Sequence, residues 1–570
     1  MTDRPGADAL ARIRYPVLWN RLIAIVEEQA RGLIKTAFSE TVSEAGDLSA
    51  GVFDTQGRMV AQAVTGTPGH VNSMAEAVGH FLKKFPVSGM RPGDHFITND
   101  PWLSSGHLHD ITVVSPAFHR GEAVALFACT CHQVDIGGLG QGPDGRSIYE
   151  EGLFIPVMRL AREGAFNEDL LEIIRANVRQ PDPVEGDVRS YATCNGLGER
   201  RLAAMLDEYG DVRFDDLAGF IVERSRQAMR DAIRALPDGT YRNAMTLDGY
   251  DRPVILDAAL TIDGERISVD FDGSSPASPY GINLVMNYTL AYTAFGVRAA
   301  VAPEIPNNAG SLAPVEVRAP VGSILNVEKP RPVCARHIIG QFLPDAVLGC
   351  LAKVPGLQVP AEGAACLWGI QVRGGPEIGA APGINDDGDA VPFDLLTFNS
   401  GGSGARPAVD GLSATAFPSG VRALPVEAVE ARAPVVVWRK ELRPDSGGAG
   451  RQRGGLGQTV EVGTRDGAPF ALFAMYDRVG NPPRGRDGGA DGAPGAVSTA
   501  SGAVLRPKGK QIVGAGDRVR LDLPGGGGHG DPHERTIEAI TMDIAEGYVT
   551  AEAARTLYSV EVARGGVVTR

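Results

Sequence analysis

No run in this sequence approaches the ~18 consecutive apolar residues that a membrane-spanning helix requires. The opening stretch MTDRPGADALARIRYP has no apolar segment of the secretion-signal kind. Excess positive charge is also missing. The net charge is −14, and no lysine/arginine stripe interleaves with aromatics, so a nucleic-acid partner is not expected. Cysteine is scarce, with six scattered residues, which reads as reduced thiols in a cytoplasmic protein rather than a disulfide framework. Familiar catalytic signatures are absent: there is no H-E-x-x-H helix, no C-x-x-C pair, no G-x-x-x-x-G-K-[ST] phosphate loop and no G-x-S-x-G elbow. Cys129 and Cys131 share one face of a strand and read as buried thiols.

The chain does have the means to build cores, with 43% hydrophobic and 22% charged residues over 570 positions. By length it holds about four domains or fewer large ones. Its 73 glycines and 39 prolines point to many turns and close backbone approaches. Residues 12–44 carry a helical stripe (Leu18, Leu22, Val26, Ala30, Leu33, Ala37) and read as one long helix. A hairpin follows at 49–63, a short helix at 72–85, β structure from 94 to 135, and three helical segments between 168 and 236. After Asp238-Gly239, short β runs alternate with Gly/Asp/Pro turns. The expected fold class is α+β, divided into 1–238, a mixed helix and hairpin part, and 239–570, a β-rich part with glycine-rich loops. The runs GGPEIGAAPG, NSGGSGAR, DSGGAGRQRGGLG and LPGGGGHGDP are interleaved with strands. For DSGGAGRQRGGLG a structural loop or subunit contact is expected before an anion site, and for LPGGGGHGDP close backbone packing before a ligand loop.

Seven of the ten histidines lie between His70 and His132. Three stand with carboxylates in a fixed frame: Asn99-Asp100, then Gly106-His107-Leu108-His109-Asp110, then Cys131-His132-Gln133-Val134-Asp135. Between the last two runs the pattern is a hairpin turning at Arg120-Gly121. Paired residue numbers should then sum to about 241, which sets His109 or Asp110 opposite His132 or Cys131. Directly opposed Cβ atoms lie ~5 Å apart, within chelating reach. His107 and His109 share a face if the chain is extended, whereas His107 and Asp110 converge only if it bends after Leu108. Imidazole with carboxylate suits Zn, Mn or Fe(II), and an incomplete shell leaves a place for water.

The runs at Asn99-Asp100-Pro101, Gly106–Val113 and His132–Gly138 resemble those of the hydantoinase B/oxoprolinase family. Ile148-Tyr149-Glu150-Glu151-Gly152-Leu153, Asn307-Asn308-Ala309-Gly310 and the two long glycine runs extend the resemblance in order along nearly the whole chain. One departure is His109, where relatives usually carry proline; another is Ser104-Ser105, where a glycine pair is common. The resemblance implies a two-subunit enzyme. An A-type subunit with an actin-like ATPase fold uses ATP and Mg to phosphorylate the oxygen of a cyclic amide or imide, such as a hydantoin, oxoproline or lactam. The B-type chain then hydrolyses the product, holding a divalent metal (Zn or Mn) on His107, Asp110 and His132, with Asp47 at a matching acidic position. Asp135, and Glu150 or Glu151, are expected to take a proton from water or give one to the departing nitrogen. A heterotetramer of two A-type and two B-type chains is expected by analogy. The alternatives are one component of a ketone carboxylase and a non-catalytic partner that stabilises the A-type chain; scaffolding needs no chelating set.

Overall fold

A computed structural model describes residues 5–64, 66–375, 383–384, 390–563 and 568–569. Most of the glycine run GGPEIGAAPG lies outside the described residues. The long N-terminal helix α1 spans Pro5–Thr36. It stops eight residues short of the expected end because Asp187 intervenes: its Oδ1 accepts the backbone N–H groups of Phe38 and Ser39. A separate turn of helix follows at Glu40–Ser43.

The strands β1 (Leu48–Phe53), β2 (Met59–Gln62), β3 (His95–Thr98), β4 (Asp110–His119), β5 (Glu122–His132), β6 (Met158–Arg162) and β7 (Ala165–Phe166) form a seven-stranded sheet, ordered β2-β1-β5-β4-β3-β6-β7. Successive side chains of a strand point to opposite faces. On one face Phe127 and Ala125 pack with Leu18, Leu22 and Val26 of α1, and with Leu202 and Ile221 of two further helices, Pro181–Glu208 and Phe214–Arg234. On the other, Leu126 and Ala128 meet Met74, Val78 and Phe81 of α2 (Pro68–Lys84). The β4–β5 hairpin begins with the expected register at its turn, His119 opposite Glu122. A β-bulge between Ala117 and Phe118 then shifts it by one, so Asp110 lies directly opposite His132.

A second sheet, β8 (Gly239–Leu247), β9 (Val254–Asp263), β10 (Arg266–Asp270) and β11 (Val315–Arg318), is ordered β11-β10-β9-β8. Between β10 and β11 runs α3 (Met286–Val301), which packs against α2. The remainder is β-rich. One four-stranded sheet contains Trp368–Gly374, Phe393–Asn399, Phe470–Met475 and Lys508–Val513; another contains Val435–Leu442, Gln458–Thr464, Ala496–Thr499 and Val519–Asp522. Beside the clusters on the two faces of the first sheet, one extended apolar core runs from Ala30 to Leu523 and joins these parts.

The glycine runs at 401–404, 447–457, 485–492 and 525–530 pack into one another outside any regular sheet. The backbone N–H groups of residues 525 to 530 donate in turn to the carbonyls of Ala493, Gly455, Glu362, Ala490, Gln452 and Arg486. Residues 525 and 528 donate to one segment and 526 and 529 to another, a repeat of three, whereas a strand alternates between two neighbours. Three residues per turn with no internal bonds is the polyproline II screw, and close packing of such screws admits only glycine at the contacts. A Cβ on Gly526 would stand 1.9 Å from the Ser403 carbonyl oxygen, and one on Gly454 1.9 Å from that of Gly526.

Candidate metal centre

Strand parity selects the site. His132 and Asp110 are cross-strand partners on the face covered by α2, whereas Cys129 and Cys131 point the other way, with Cys129 Sγ directed at the Tyr191 carbonyl. The first turn of α2 brings His70 to the same point. The chain turns at Leu108-His109 before entering β4, and this bend folds His107 back onto Asp110. Gly106 makes the approach possible: it adopts φ +92°, and a Cβ there would meet Arg336 Cδ at 2.8 Å.

Asp110 is the hub, fully buried. Its Oδ1 lies 2.7 Å from His107 Nε2 and 3.0 Å from His132 Nδ1; its Oδ2 lies 2.9 Å from His70 Nε2 and accepts from Arg336 Nη2. Burial alone would raise this carboxyl, but the positive charges beside it, His70 and Arg336 among them, outweigh burial and hold the group well below the usual carboxylate range. Burial, aided by Arg336, pushes His107 down to about 3, so its ring is neutral. The single proton of that ring has one place to go, because His107 Nδ1 is 2.8 Å from the Cys334 carbonyl oxygen, which only accepts. Nε2 is therefore left with a lone pair facing a carboxylate oxygen at 2.7 Å. Two acceptors at that distance repel unless a cation lies between or beside them. His132 Nε2 and His70 Nδ1 are buried without hydrogen-bond partners. One donor atom each from His107, Asp110 and His132 fits within a 4.8 Å circle. This donor set, with its facing lone pairs and orphaned imidazole nitrogens, fits a divalent metal ion.

The cluster opens on a cavity of about 30 Å³, room for an ion with a water but not for a substrate in this closed arrangement. Asp47 lines it; its Oδ1 accepts from Thr67 Oγ1 and lies 3.7 Å from His70 Nδ1, while its carbonyl accepts the His132 N–H. The opposite wall comes from the second half of the chain: Tyr288, Tyr292, Arg336, His337, Gln341 and Phe398. Burial raises the phenol of Tyr288 to about 12 and that of Tyr292 well above its ordinary value, so both stay protonated and can donate.

His109 is buried and stacks on His132, with ring centroids 5.5 Å apart, and its Nδ1 lies 3.8 Å from Cys334 Sγ; it stands beside the cluster, not in it. The structure does not bring Asp135, Glu150 and Glu151 to the cavity wall. Asp135 is occupied by Arg179, whose Nη1 and backbone N–H both donate to it, and by the N–H of Gly137. Glu150 is exposed and accepts from the Arg146 N–H. Glu151 is buried, and its Oε1 accepts the N–H groups of Val333 and Cys334. It thereby holds the backbone on the N-terminal side of Cys334, the residue whose carbonyl orients His107. Sequence reasoning missed His70, Arg336, Tyr288 and Tyr292. Parity offered a signal for His70, since a histidine opening an amphipathic helix beside a His/Asp hairpin is placed to join it; the other three carry none in their spacing.

The chain is 29% identical to the beta chain of the caprolactamase of Pseudomonas jessenii, over 97% of each. It is 27% identical to the B component of a putative D-/L-hydantoinase of Pseudomonas sp. strain NS671, over 96% of this chain and 95% of that one. It is 28% identical to 5-oxoprolinase 1 of Arabidopsis thaliana, over 91% of this chain and 42% of that longer protein. The crystal structure of the ATP-dependent caprolactamase of P. jessenii superposes with a TM-score of 0.85 at 25% identity, covering 99% of this chain and 97% of that one. An acetone carboxylase chain shares the fold, with a TM-score of 0.82 at 22% identity, over 98% of this chain and 81% of that one. The model of the family described as hydantoinase B/oxoprolinase matches residues 11–532, and the chain belongs to that family.

Proposed function

We propose that this chain is the metal-bearing B-type component of an ATP-dependent cyclic amide or imide hydrolase. The observation that carries the reading is the neutral His107 ring turned lone pair first onto Asp110 beside a small cavity, in a relative of a caprolactamase beta chain. An unactivated amide resists attack because its carbonyl is resonance-stabilised, and phosphorylation of the oxygen by an A-type subunit removes that protection. His107, Asp110 and His132 would hold the ion, either Zn or Mn by the chemistry of N/O donors, with Asp47 beside them. Bound there, a divalent ion supplies a Lewis acid and lowers the pKa of water towards ~7.

The chain's own groups do the rest. Arg336 fixes the second oxygen of Asp110 and adds a positive charge where a phosphorylated substrate needs one. Tyr292 and Tyr288, protonated and facing the cavity, are placed to donate to an oxygen that gains charge or to a departing nitrogen. Glu151 acts through the Cys334 peptide as a positioning residue. The expected partner is an A-type ATPase subunit, in an assembly of two A-type and two B-type chains that uses ATP and Mg.

The test is co-expression with an A-type subunit and a screen of ATP-dependent ring opening on hydantoins, 5-oxoproline and lactams. Turnover and bound divalent metal are expected in the complex, and neither turnover nor tight ATP binding in the isolated chain. A metal-free complex of full activity would refute the reading, as would carboxylation of ketones with no hydrolysis.

A further inference from the structure

A second cleft, of about 320 Å³, lies at the far end of α3 from the metal cavity. Tyr288 and Tyr292 open that helix at the metal; Arg298 closes it at the cleft. Arg298 is largely buried, and burial alone lowers it to about 10. Among the described residues no carboxylate pairs with it. One of its nitrogens, Nη2, donates to the Ile305 carbonyl, while Nε has no partner. The indole N–H of Trp19, on the lining of the same cleft, also has no partner. A largely buried guanidinium without an acid is costly, and an indole donor left unsatisfied on the same lining adds to that cost.

The lining also carries groups of opposite character. Asn72 donates its Nδ2 to the Ala291 carbonyl, so its Oδ1 faces Asn307. Asn307 must then present Nδ2, which it shares between Asn72 Oδ1 and Gln62 Oε1, and its own Oδ1 is left without a donor. Glu304 stands on the same lining. A single cation with an acid on the same lining disfavours a phosphate dianion and suits one carboxylate gripped by a guanidinium fork.

We infer that this cleft binds a small amino acid, its carboxylate on Arg298 and Trp19 and its N–H end towards Asn307 and Glu304. Such compounds are what cyclic amide hydrolysis yields; the role of the cleft as a product site rests on the proposed function, whereas the binding does not.

The experiment is calorimetry on the purified full chain, without ATP, using glutamate, 6-aminohexanoate, acetate and phosphate as probes. Saturable binding of at least one amino acid is expected, with acetate and phosphate at least about tenfold weaker, the worth of one charge-assisted contact. Arg298→Gln should abolish binding and leave the unliganded melting temperature unchanged or higher, since it removes an uncompensated buried charge. Glu304→Gln should weaken the amino acids and not acetate. His132→Ala, which disables the metal centre, should leave binding intact and so separates this cleft from the catalytic cavity. Equal binding of acetate or phosphate, undiminished binding by the Arg298→Gln chain, loss in the His132→Ala chain, or no saturable heat with either amino acid overturns the inference.

Discussion

The β4–β5 hairpin and the glycine bundle both hold their atoms to within tenths of an ångström, by opposite means. In the hairpin, side chains carry the information: Asp110 takes His107, His132, His70 and Arg336 on its two oxygens, and a shift of one residue in register would turn the carboxylate to the other face. In the bundle the information is the lack of side chains. Backbones approach until a single added carbon would overlap a neighbouring carbonyl, and the N–H groups are satisfied by neighbouring segments of the chain. The hairpin can therefore lose a side chain and keep its shape, while the bundle cannot gain one.

The bundle gives the largest predicted effect. In Gly526→Ala the new methyl meets the Ser403 carbonyl at 1.9 Å and its carbon at 2.3 Å, both backbone atoms that cannot rotate away. A loss of at least about 4 kcal/mol is expected, seen as insoluble protein or a collapse in the urea midpoint. Gly219→Ala is the control. It sits inside the helix Phe214–Arg234 with nothing near the added carbon, and should gain up to about 1 kcal/mol. Equal tolerance of both changes would remove the distinction between the two regions.

The hairpin should respond in function and not in fold. His132→Ala is expected to lose bound metal and activity together, with a melting temperature within a few degrees of the parent. Asp110 keeps three of its four partners, and the removed ring lines a cavity instead of packing a core. His109→Pro is the milder companion. His109 contributes no atom to the ligand cluster, so metal content by elemental analysis should be retained. Metal loss in His109→Pro with retention in His132→Ala would exchange the roles assigned to the two rings.

The two regions also differ in how legible they are. Alternation and turn chemistry locate the hairpin and set its register to within one residue; the bulge at Ala117/Phe118, which makes Asp110 and not His109 the partner of His132, leaves no mark in composition. The three helices between 168 and 236 are plain from their apolar stripes. The bundle is legible only as an excess of glycine, because a threefold screw has neither the period of two nor that of 3.6. Arg336 and the tyrosines are illegible for another reason: they reach the Asp110 cluster from the second half of the chain, through the packing of α3 on α2 and the fold of 331–337. Asp135 looks catalytic because it sits beside His132 in sequence, but strand β5 ends at His132 and the chain turns Asp135 towards Arg179.

The finest expected effect lies between the two regions, at Glu151. Burial, only partly offset by the N–H groups of Cys334 and Val333, raises its carboxyl to about 8, so the folded protein keeps this proton at neutral pH. In the unfolded chain the group releases it near the ordinary glutamate value of about 4.3. Between those two values the native state binds more protons than the unfolded state. Stability therefore falls as pH rises, by up to about 1.4 kcal/mol per pH unit from this residue, and the trend ends once pH passes the folded value. Glu151→Gln keeps the oxygen that accepts from Val333 and Cys334 but has no proton to lose. Its unfolding free energy relative to the parent should be lowest near pH 5 and rise steadily to pH 8, measured by urea titration across that range. Metal content should stay unchanged, because the Cys334 carbonyl remains on His107 Nδ1. A pH-independent difference would mean that Glu151 ionises in the folded chain, and metal loss would mean that its charge, and not only its hydrogen bonds, supports the hairpin.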